Sequence, residues 1–145
     1  MISYPAEIIE EDGYTIKFID FPDIMTEGDT LEELVENAED ALSLVLGYRF
    51  DLEREIPEPS QVEGNNIIFV DVLPHVALPI MLHRARKKRN ITLREAAKKT
   101  KRKYQTYQRF EKVNSFNARM KTIEELARAM GKKLVVDLVD RAAKK

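Results

Sequence analysis

Charge is divided between the two halves of this 145-residue chain, and that division constrains the fold more than any single motif. Residues 1–73 hold 19 of the 25 acidic residues and three of the 24 basic ones, a balance of −16. Residues 74–145 hold the other 21 basic residues and six acidic ones, a balance of +15. The formal net charge of −1 therefore conceals two units suited to different partners. The basic half favours nucleic acid and the acidic half a basic protein, unless the two halves only attract each other.

Composition narrows the class of protein further. The chain is 43% hydrophobic and 34% charged, as in globular domains, and its apolar runs are too short to cross a bilayer. Met1–Pro5 provides neither a basic start nor an apolar signal core, so we expect a cytoplasmic protein without a membrane partner. The absence of cysteine excludes disulfides, thiol catalysis and thiolate metal ligands.

Hydrophobic periodicity in the first half predicts a small antiparallel sheet with one helix. Residues 2–10 and 14–20 alternate roughly with period two around a turn at 11–13, which is typical of a β-hairpin. Thr30 and Glu33 have the spacing of a capping box. The helix they open has one apolar face, formed by Leu31, Leu34, Val35, Ala38, Leu42, Val45 and Leu46. A loop over 53–66 leads to a strand at 67–72, so we take residues 1–73 as one domain.

The second half changes to helical periodicity after a proline-flanked boundary at 73–79, so we take 78–145 as a second, all-α domain. A first helix ends near residues 89–90, and a second runs from a capping box at Thr92 and Glu95 to Lys99. A third covers 102–112. Thr122 and Glu125 predict another capping box and a last helix, which Gly131 ends. The predicted fold class is therefore α+β.

Residues 134–139 end this second unit with an apolar segment that reads as a strand. No other strand is predicted within the helical unit, and an unpaired apolar strand usually finds a partner in another chain or domain. We therefore expect a homodimer or homotetramer, with pairing through Leu134, Val136 and Leu138.

Basic residues concentrate where two short helices are predicted to meet. Between Arg84 and Lys112 there are thirteen lysines and arginines against two glutamates, with tyrosines and glutamines among them. Two short helices joined by a tight turn are typical of the helix-turn-helix, whose second helix enters the major groove of operator DNA. The candidate DNA-binding residues are Lys101, Arg102, Lys103, Tyr104, Gln105, Gln108 and Arg109.

The same region contains the segment Thr92–Ala97, followed by Tyr107, Phe110 and Glu111. This pattern resembles the Cro/repressor-type helix-turn-helix. It implies that Ala97 lies where the two helices cross and that Tyr107 and Phe110 are buried. Lys101 stands where the family has a turn glycine, at a position that favours positive φ.

The first unit contains, in order, the segments Gly13-Tyr14, Phe18–Pro22, Thr26–Thr30, Ala38 and Ala41-Leu42. Together they resemble the N-terminal domain of HicB antitoxins, with aspartate at position 23 where many members have glycine. The resemblance implies a degenerate, partial RNase H-like fold and an antitoxin that neutralises a HicA-like basic ribonuclease and represses its own operon. The residues expected to contact the toxin are Asp20, Phe21, Asp23, Glu32, Glu36 and Glu39. The glutamates could equally serve solubility alone, and Phe21 could lie in the core.

Two other functions compete with this interpretation. A metal-dependent nuclease would need Asp20, Asp23 and Asp71 to converge on two metal ions, and no spacing indicates that they do. The two histidines also lack metal-ligand spacing, so we expect a protein that is not an enzyme and has no cofactor. A stand-alone transcriptional regulator with a ligand-sensing N-terminal domain would need an apolar pocket, which the pattern does not indicate.

Overall fold

The computed structural model describes residues 1–141 and has α+β architecture. Its elements, in chain order, are β1 (Ser3–Glu10), β2 (Tyr14–Phe18), β3 (Met25–Gly28), α1 (Leu31–Asp51), β4 (Ile67–Asp71), α2 (Pro74–Lys88), α3 (Leu93–Lys99), α4 (Tyr104–Arg109) and α5 (Met120–Ala129). Within that described range, none of the helices combines the length and apolar character needed to span a membrane.

The first unit is a four-stranded antiparallel sheet covered on one face by α1. The strand order is β3-β2-β1-β4, so β1 is central and pairs with both its hairpin partner and the closing strand. The predicted hairpin and closing strand are confirmed, and β3 adds an edge strand that pairs with β2. The core between sheet and helix is formed by residues that include Tyr4, Ile16, Phe18, Leu34, Ala38, Leu42 and Val70.

Gly28 and Thr30 control how β3 passes into α1. A Cβ on Gly28 would lie 2.7 Å from the backbone nitrogen of Leu34, so only glycine allows the strand to approach the helix this closely. Thr30 is the N-cap, and its hydroxyl accepts a hydrogen bond from the Glu33 amide at 3.1 Å. The Glu33 carboxylate accepts from the amide of Asp29, one residue before the predicted partner.

The predicted boundary at 73–79 is part of α2. This helix begins at Pro74, a favourable place for proline because the first amides of a helix have no partner inside it. The first half of α2, through Val76 and Ile80, packs into the core of the sheet unit. Its second half, through Leu82 and Ala85, packs into the core of the helical unit. The two units therefore share one helix.

The second core lies between α2 and the three short helices that follow. Its buried residues include Ile91, Ala96, Ala97, Tyr107, Leu126 and Met130. The third helix is shorter than predicted, since residues 100–103 form a turn and α4 ends at Arg109. The last helix begins at Met120 with Arg119 as its N-cap, so the predicted capping box at Thr122 was wrong. Thr122 lies inside the first turn of α5, three residues after the N-cap position, so its hydroxyl cannot act as the N-cap.

The terminal strand predicted at residues 134–139 is not formed in the chain that the structure describes. Gly131, at φ +69°, ends α5, and the chain from there to Arg141 is irregular. Leu134 is half-buried, whereas Val136 is exposed and Leu138 is 99% exposed. A strand needs a neighbouring strand for its backbone hydrogen bonds, and none of the four strands of the described sheet pairs with this segment. Residues 142–145, the end of the predicted second domain, lie outside the described residues.

Candidate functional site

The two helices of the basic region meet through a tightly bonded turn. α3 begins with the predicted capping box, in which the Thr92 hydroxyl accepts from the Glu95 amide at 3.1 Å and the Glu95 carboxylate accepts from the Thr92 amide at 3.2 Å. Hydrogen bonds from Thr92 lower the pKa of Glu95, the backbone bond being the largest cause. Four turn residues, 100–103, separate α3 from α4, which gives the spacing of a helix-turn-helix.

Lys101 adopts the backbone conformation that the expected glycine would have. Its φ is +55°, in the left-handed region. Hydrogen bonds on both sides support the turn, from the Lys101 amide to the Lys98 carbonyl at 3.1 Å and from the Arg102 amide to the Ala97 carbonyl at 2.9 Å. A left-handed conformation costs a residue with a side chain about 1 kcal/mol. Lysine in place of glycine therefore makes the turn less favourable but leaves its geometry intact.

Most of the predicted DNA-binding residues lie on one exposed surface. Gln105, Gln108 and Arg109 are exposed on a single face of α4, because residues three and four apart are neighbours on a helix. Lys101 and Lys103 are exposed in the turn that precedes it. We call these five residues the recognition surface.

Tyr104 and Arg102, which were also predicted to bind DNA, contact other side chains of the chain. The guanidinium of Arg94 lies 5.0 Å from the centre of the Tyr104 ring, which leaves the tyrosine half-buried. Arg102 donates to the Thr100 carbonyl at 2.9 Å and pairs with Glu125 of α5 at 3.1 Å. Arg102 therefore holds the turn against α5.

The carboxylate of Glu111, which the sequence indicated only as part of the repressor-type pattern, is buried and joins α2 to the end of α4. Glu111 accepts hydrogen bonds from Arg86 Nε at 2.8 and 3.0 Å, from the Tyr107 hydroxyl at 2.6 Å and from His83 Nδ1 at 3.0 Å. Burial raises the pKa of Glu111, but the hydrogen bonds from these three residues outweigh it and lower the pKa to about 2. Burial, followed by the bond to Glu111, raises the pKa of Tyr107. Arg86 and Glu111 are 25 residues apart, so no local spacing indicates that they pair.

The residues predicted to contact a toxin divide into an exposed group and an internal group. Asp23, Glu32 and Glu36 are exposed, and Glu39 is half-buried beside Arg141, whose Nη1 lies 2.9 Å from its carboxylate. We call these four acids the acidic surface.

Asp20 and Phe21 hold the first unit together. The carboxylate of Asp20 accepts from the Ser60 amide at 2.9 Å and from the Ser60 hydroxyl, which fastens the loop after α1. Phe21 is 1% exposed and packs edge-on against Tyr4, with ring centres 4.9 Å apart. Its ring therefore belongs to the core and offers no surface to a partner.

The acids proposed for a nuclease centre do not assemble. Across residues 1–141, no three or more histidine, aspartate or glutamate side chains are placed to share a metal ion. The carboxylate of Asp20 is already bonded to Ser60. Asp20, Asp23 and Asp71 thus do not supply the converging carboxylates that two-metal hydrolysis needs.

The end of α1 is bonded to the segment that follows α4. The Asp51 carboxylate accepts hydrogen bonds from the amides of Val113 at 2.7 Å and Asn114 at 2.8 Å. Gly47 allows this close approach, since a Cβ there would lie 2.9 Å from Val113 Cγ1. This contact, which had no counterpart in the sequence analysis, connects the acidic unit with the basic one.

Comparison with known proteins identifies the family. A family model described as HicB_like antitoxin of bacterial toxin-antitoxin system matches residues 3–82. The chain is 30% identical over 138 residues to Antitoxin HicB of Escherichia coli (strain K12), which covers 94% of this chain and 99% of that protein. It is 31% identical over 137 residues to Antitoxin HicB 1 of Photorhabdus laumondii subsp. laumondii, covering 93% of this chain and 86% of that one.

Among solved structures, the crystal structure of the Burkholderia pseudomallei antitoxin HicB aligns with a TM-score of 0.44 at 16% identity, over 63% of this chain and 87% of that chain. The assignment rests on the sequence matches, because the family model spans more than half of the chain and the E. coli relative is matched over nearly its whole length. The chain belongs to the HicB-like antitoxin family of bacterial toxin–antitoxin systems.

Proposed function

We propose that this antitoxin neutralises a HicA-like basic ribonuclease with its first unit and represses its own operon with its second. The observation that carries the proposal is the coincidence of charge and architecture. The sheet unit has a balance of −16 and the helical unit a balance of +15, so each is suited to a partner of opposite charge.

The acidic surface is suited to a protein that binds RNA. A small ribonuclease needs positive charge to hold the phosphates of its substrate. Carboxylates of Asp23, Glu32, Glu36 and Glu39 attract that positive charge and can occupy the place of RNA phosphates. Neutralisation in this form is competition for the toxin's RNA-binding surface, and it needs no catalysis by the antitoxin.

The recognition surface is suited to the major groove of an operator. Gln105 and Gln108 carry the amides that can bond adenine edges, and Arg109 carries the guanidinium that can bond guanine edges. Lys101 and Lys103, which are exposed in the turn, can contact phosphates beside the groove, and Tyr104 lies at the start of α4. Arg102 contributes by holding the turn in the shape that presents α4.

A dimer would place two such helices on the half-sites of a palindromic operator. The exposed apolar residues Val136 and Leu138, with Leu134, would pair with the same segment of a second copy and there gain the strand partner they lack. Two such dimers would form the tetramer. All of these interactions take place in the cytoplasm.

One experiment tests both halves of the proposal. The chain is mixed with the product of the reading frame beside its gene, and RNA cleavage and DNA binding to the region upstream are followed together. We expect the neighbouring protein to be a short basic ribonuclease that is fully inhibited at about one equivalent. The double variant Glu32→Lys/Glu36→Lys should lose inhibition and retain DNA binding, because these exposed side chains lie on α1 and do not belong to the recognition surface.

Two results would contradict the proposal. The antitoxin half fails if the neighbouring protein cleaves RNA at an undiminished rate in the presence of excess wild-type chain. DNA binding that appears only after a small molecule is added would instead favour a stand-alone, ligand-sensing regulator.

A further inference from the structure

The outer face of α1 changes character half-way along the helix. Its first turns carry the glutamates of the acidic surface, whereas its second half carries Leu44 and Tyr48 and is followed by Leu52 as the C-cap. These three side chains are spaced by four residues and so lie along one face. Leu44 is 75% exposed and Tyr48 is 62% exposed, which is unusual for large apolar side chains arranged in a row.

The same three residues form one wall of a cleft of about 550 Å³. Leu73 and His75, at the start of α2, line it together with Val113 from the segment after α4. The cleft volume lies within the range of about 300–1,000 Å³ that is typical of sites that bury a ligand-sized group. The cleft is therefore a mainly apolar recess at the place where the acidic and basic units meet.

The charge around the cleft favours a basic partner over a second copy of this chain as its occupant. Asp40 lines the cleft, and Glu36 lies one helical turn before Asp40 on α1. A second copy that docked with the same face would bring these carboxylates towards their counterparts, and like charges brought together at an interface are costly. A basic partner meets opposite charge instead, and the unit as a whole has a balance of −16.

We propose that this cleft is the anchoring site for the toxin, into which the basic partner inserts an apolar side chain. The inference rests on the proposed antitoxin function and adds to it a site that is apolar. The acids around the cleft attract the partner and accelerate association. Tyr48 and Leu44 then retain it, since buried aromatic and aliphatic contacts at the centre of an interface carry most of its affinity.

This division of roles is tested by binding kinetics on the full-length chain. The probe is a catalytically inactive form of the protein encoded beside this gene, immobilised for surface plasmon resonance. We expect Tyr48→Ala and Leu44→Lys each to accelerate dissociation by about tenfold or more. Asp40→Lys should instead slow association several-fold at low salt, with a smaller effect at high salt. The side chains of Leu44 and Tyr48 are exposed, so the melting temperature should not change.

Phe69→Lys is the matched control, because Phe69 is a 52% exposed apolar residue on β4, outside the cleft lining. The affinity of Phe69→Lys for the toxin should be within about twofold of that of the wild type. If Tyr48→Ala and Leu44→Lys also bind within twofold, the cleft is not the anchoring site although toxin neutralisation stands. If the wild type itself neither binds nor inhibits, the proposed function fails and the cleft assignment fails with it. A fall in the mass of the free chain in these variants, with toxin binding unchanged, would assign the cleft to a second copy and overturn the inference.

Discussion

Glu111 is the residue whose environment departs furthest from that of an ordinary glutamate. It is buried, yet its carboxylate accepts hydrogen bonds from a guanidinium, an imidazole and a phenol. A buried charge is tolerated only when such partners replace the water it has lost. Because Tyr107 lies on α4 and Arg86 on α2, this one carboxylate fixes α4 to the rest of the chain.

Replacement of this carboxylate should therefore have a pH-dependent effect on stability. The pKa of Glu111 is about 2 in the folded chain, compared with an ordinary value of 4.5, so its ionisation stabilises the fold above pH 4.5. That contribution is lost as the pH falls through the folded pKa. We expect Glu111→Gln to lower the free energy of unfolding by about 3 kcal/mol at neutral pH. As the pH falls from about 5 to about 3, the difference in the free energy of unfolding between wild type and Glu111→Gln should decrease by about 2 kcal/mol.

Urea unfolding at a series of pH values measures this difference. Glu125→Gln is the control, because the Glu125 carboxylate is about half exposed and pairs with Arg102 at the surface. Glu125→Gln should change the free energy of unfolding by no more than about 1 kcal/mol, and this change should vary little with pH. A free energy difference between wild type and Glu111→Gln that stays constant over the whole series would show that folding does not lower the pKa of Glu111.

At the scale of elements, α4 and the turn before it carry two kinds of side chain to which we assign different tasks in the proposed DNA binding. Amides and a guanidinium on the exposed face of α4 are suited to distinguishing bases, whereas lysines in the turn and at the end of α3 are suited to phosphates, which carry no sequence information. The short length of α4 suits this division, since only the first turns of a recognition helix reach into the groove.

Substitutions of the two kinds should have different signatures. Gln105→Ala or Arg109→Ala should weaken binding to the operator by about 1–3 kcal/mol and relax the preference at one base position. Lys98→Ala should weaken binding to all sequences alike and reduce the dependence of affinity on salt. Titration of operator and scrambled DNA at several salt concentrations distinguishes them. Identical behaviour of the two groups would mean that α4 is not the helix that reads the bases.

For the whole molecule, the main question is how the chain associates with itself. The tail after α5 presents apolar residues to water, while Arg141 at its described end pairs with Glu36 and Glu39 of α1. Exposed ion pairs of this kind contribute little, about 0–1 kcal/mol. Burial of the apolar residues against a second copy therefore has more to contribute than the ion pairs.

Deletion of residues 134–145 should accordingly weaken self-association, which sedimentation at several concentrations measures. Arg141→Ala is the control, because it removes the ion pairs and retains Val136 and Leu138. Its assembly should match that of the wild type. An unchanged mass after the deletion would assign self-association to another surface.

Local patterns in the sequence were sufficient to predict most of the helices and strands. Alternation and turn residues predicted the hairpin, and Thr92 with Glu95 predicted the start of α3, because these features depend on neighbours within a few residues. The same local reasoning failed at Thr122, because a capping pattern occurs there inside the first turn of α5 and not at its N-cap. It also failed at residues 134–139, since β-propensity forms no strand without a partner.

What the sequence determined by itself was the fold class, the family and the separation of acidic from basic residues, because each can be read from composition, period or a short motif. Only the tertiary structure decided which of the charged and aromatic side chains remain exposed and so can contact a partner. It placed Phe21 and Glu111 inside, turned Arg102 towards α5 and opened a cleft beside Tyr48. The physical reason is that burial and pairing depend on residues that are distant along the chain, such as Ser60 for Asp20 and Arg86 for Glu111. Sequence spacing carries no record of such distances.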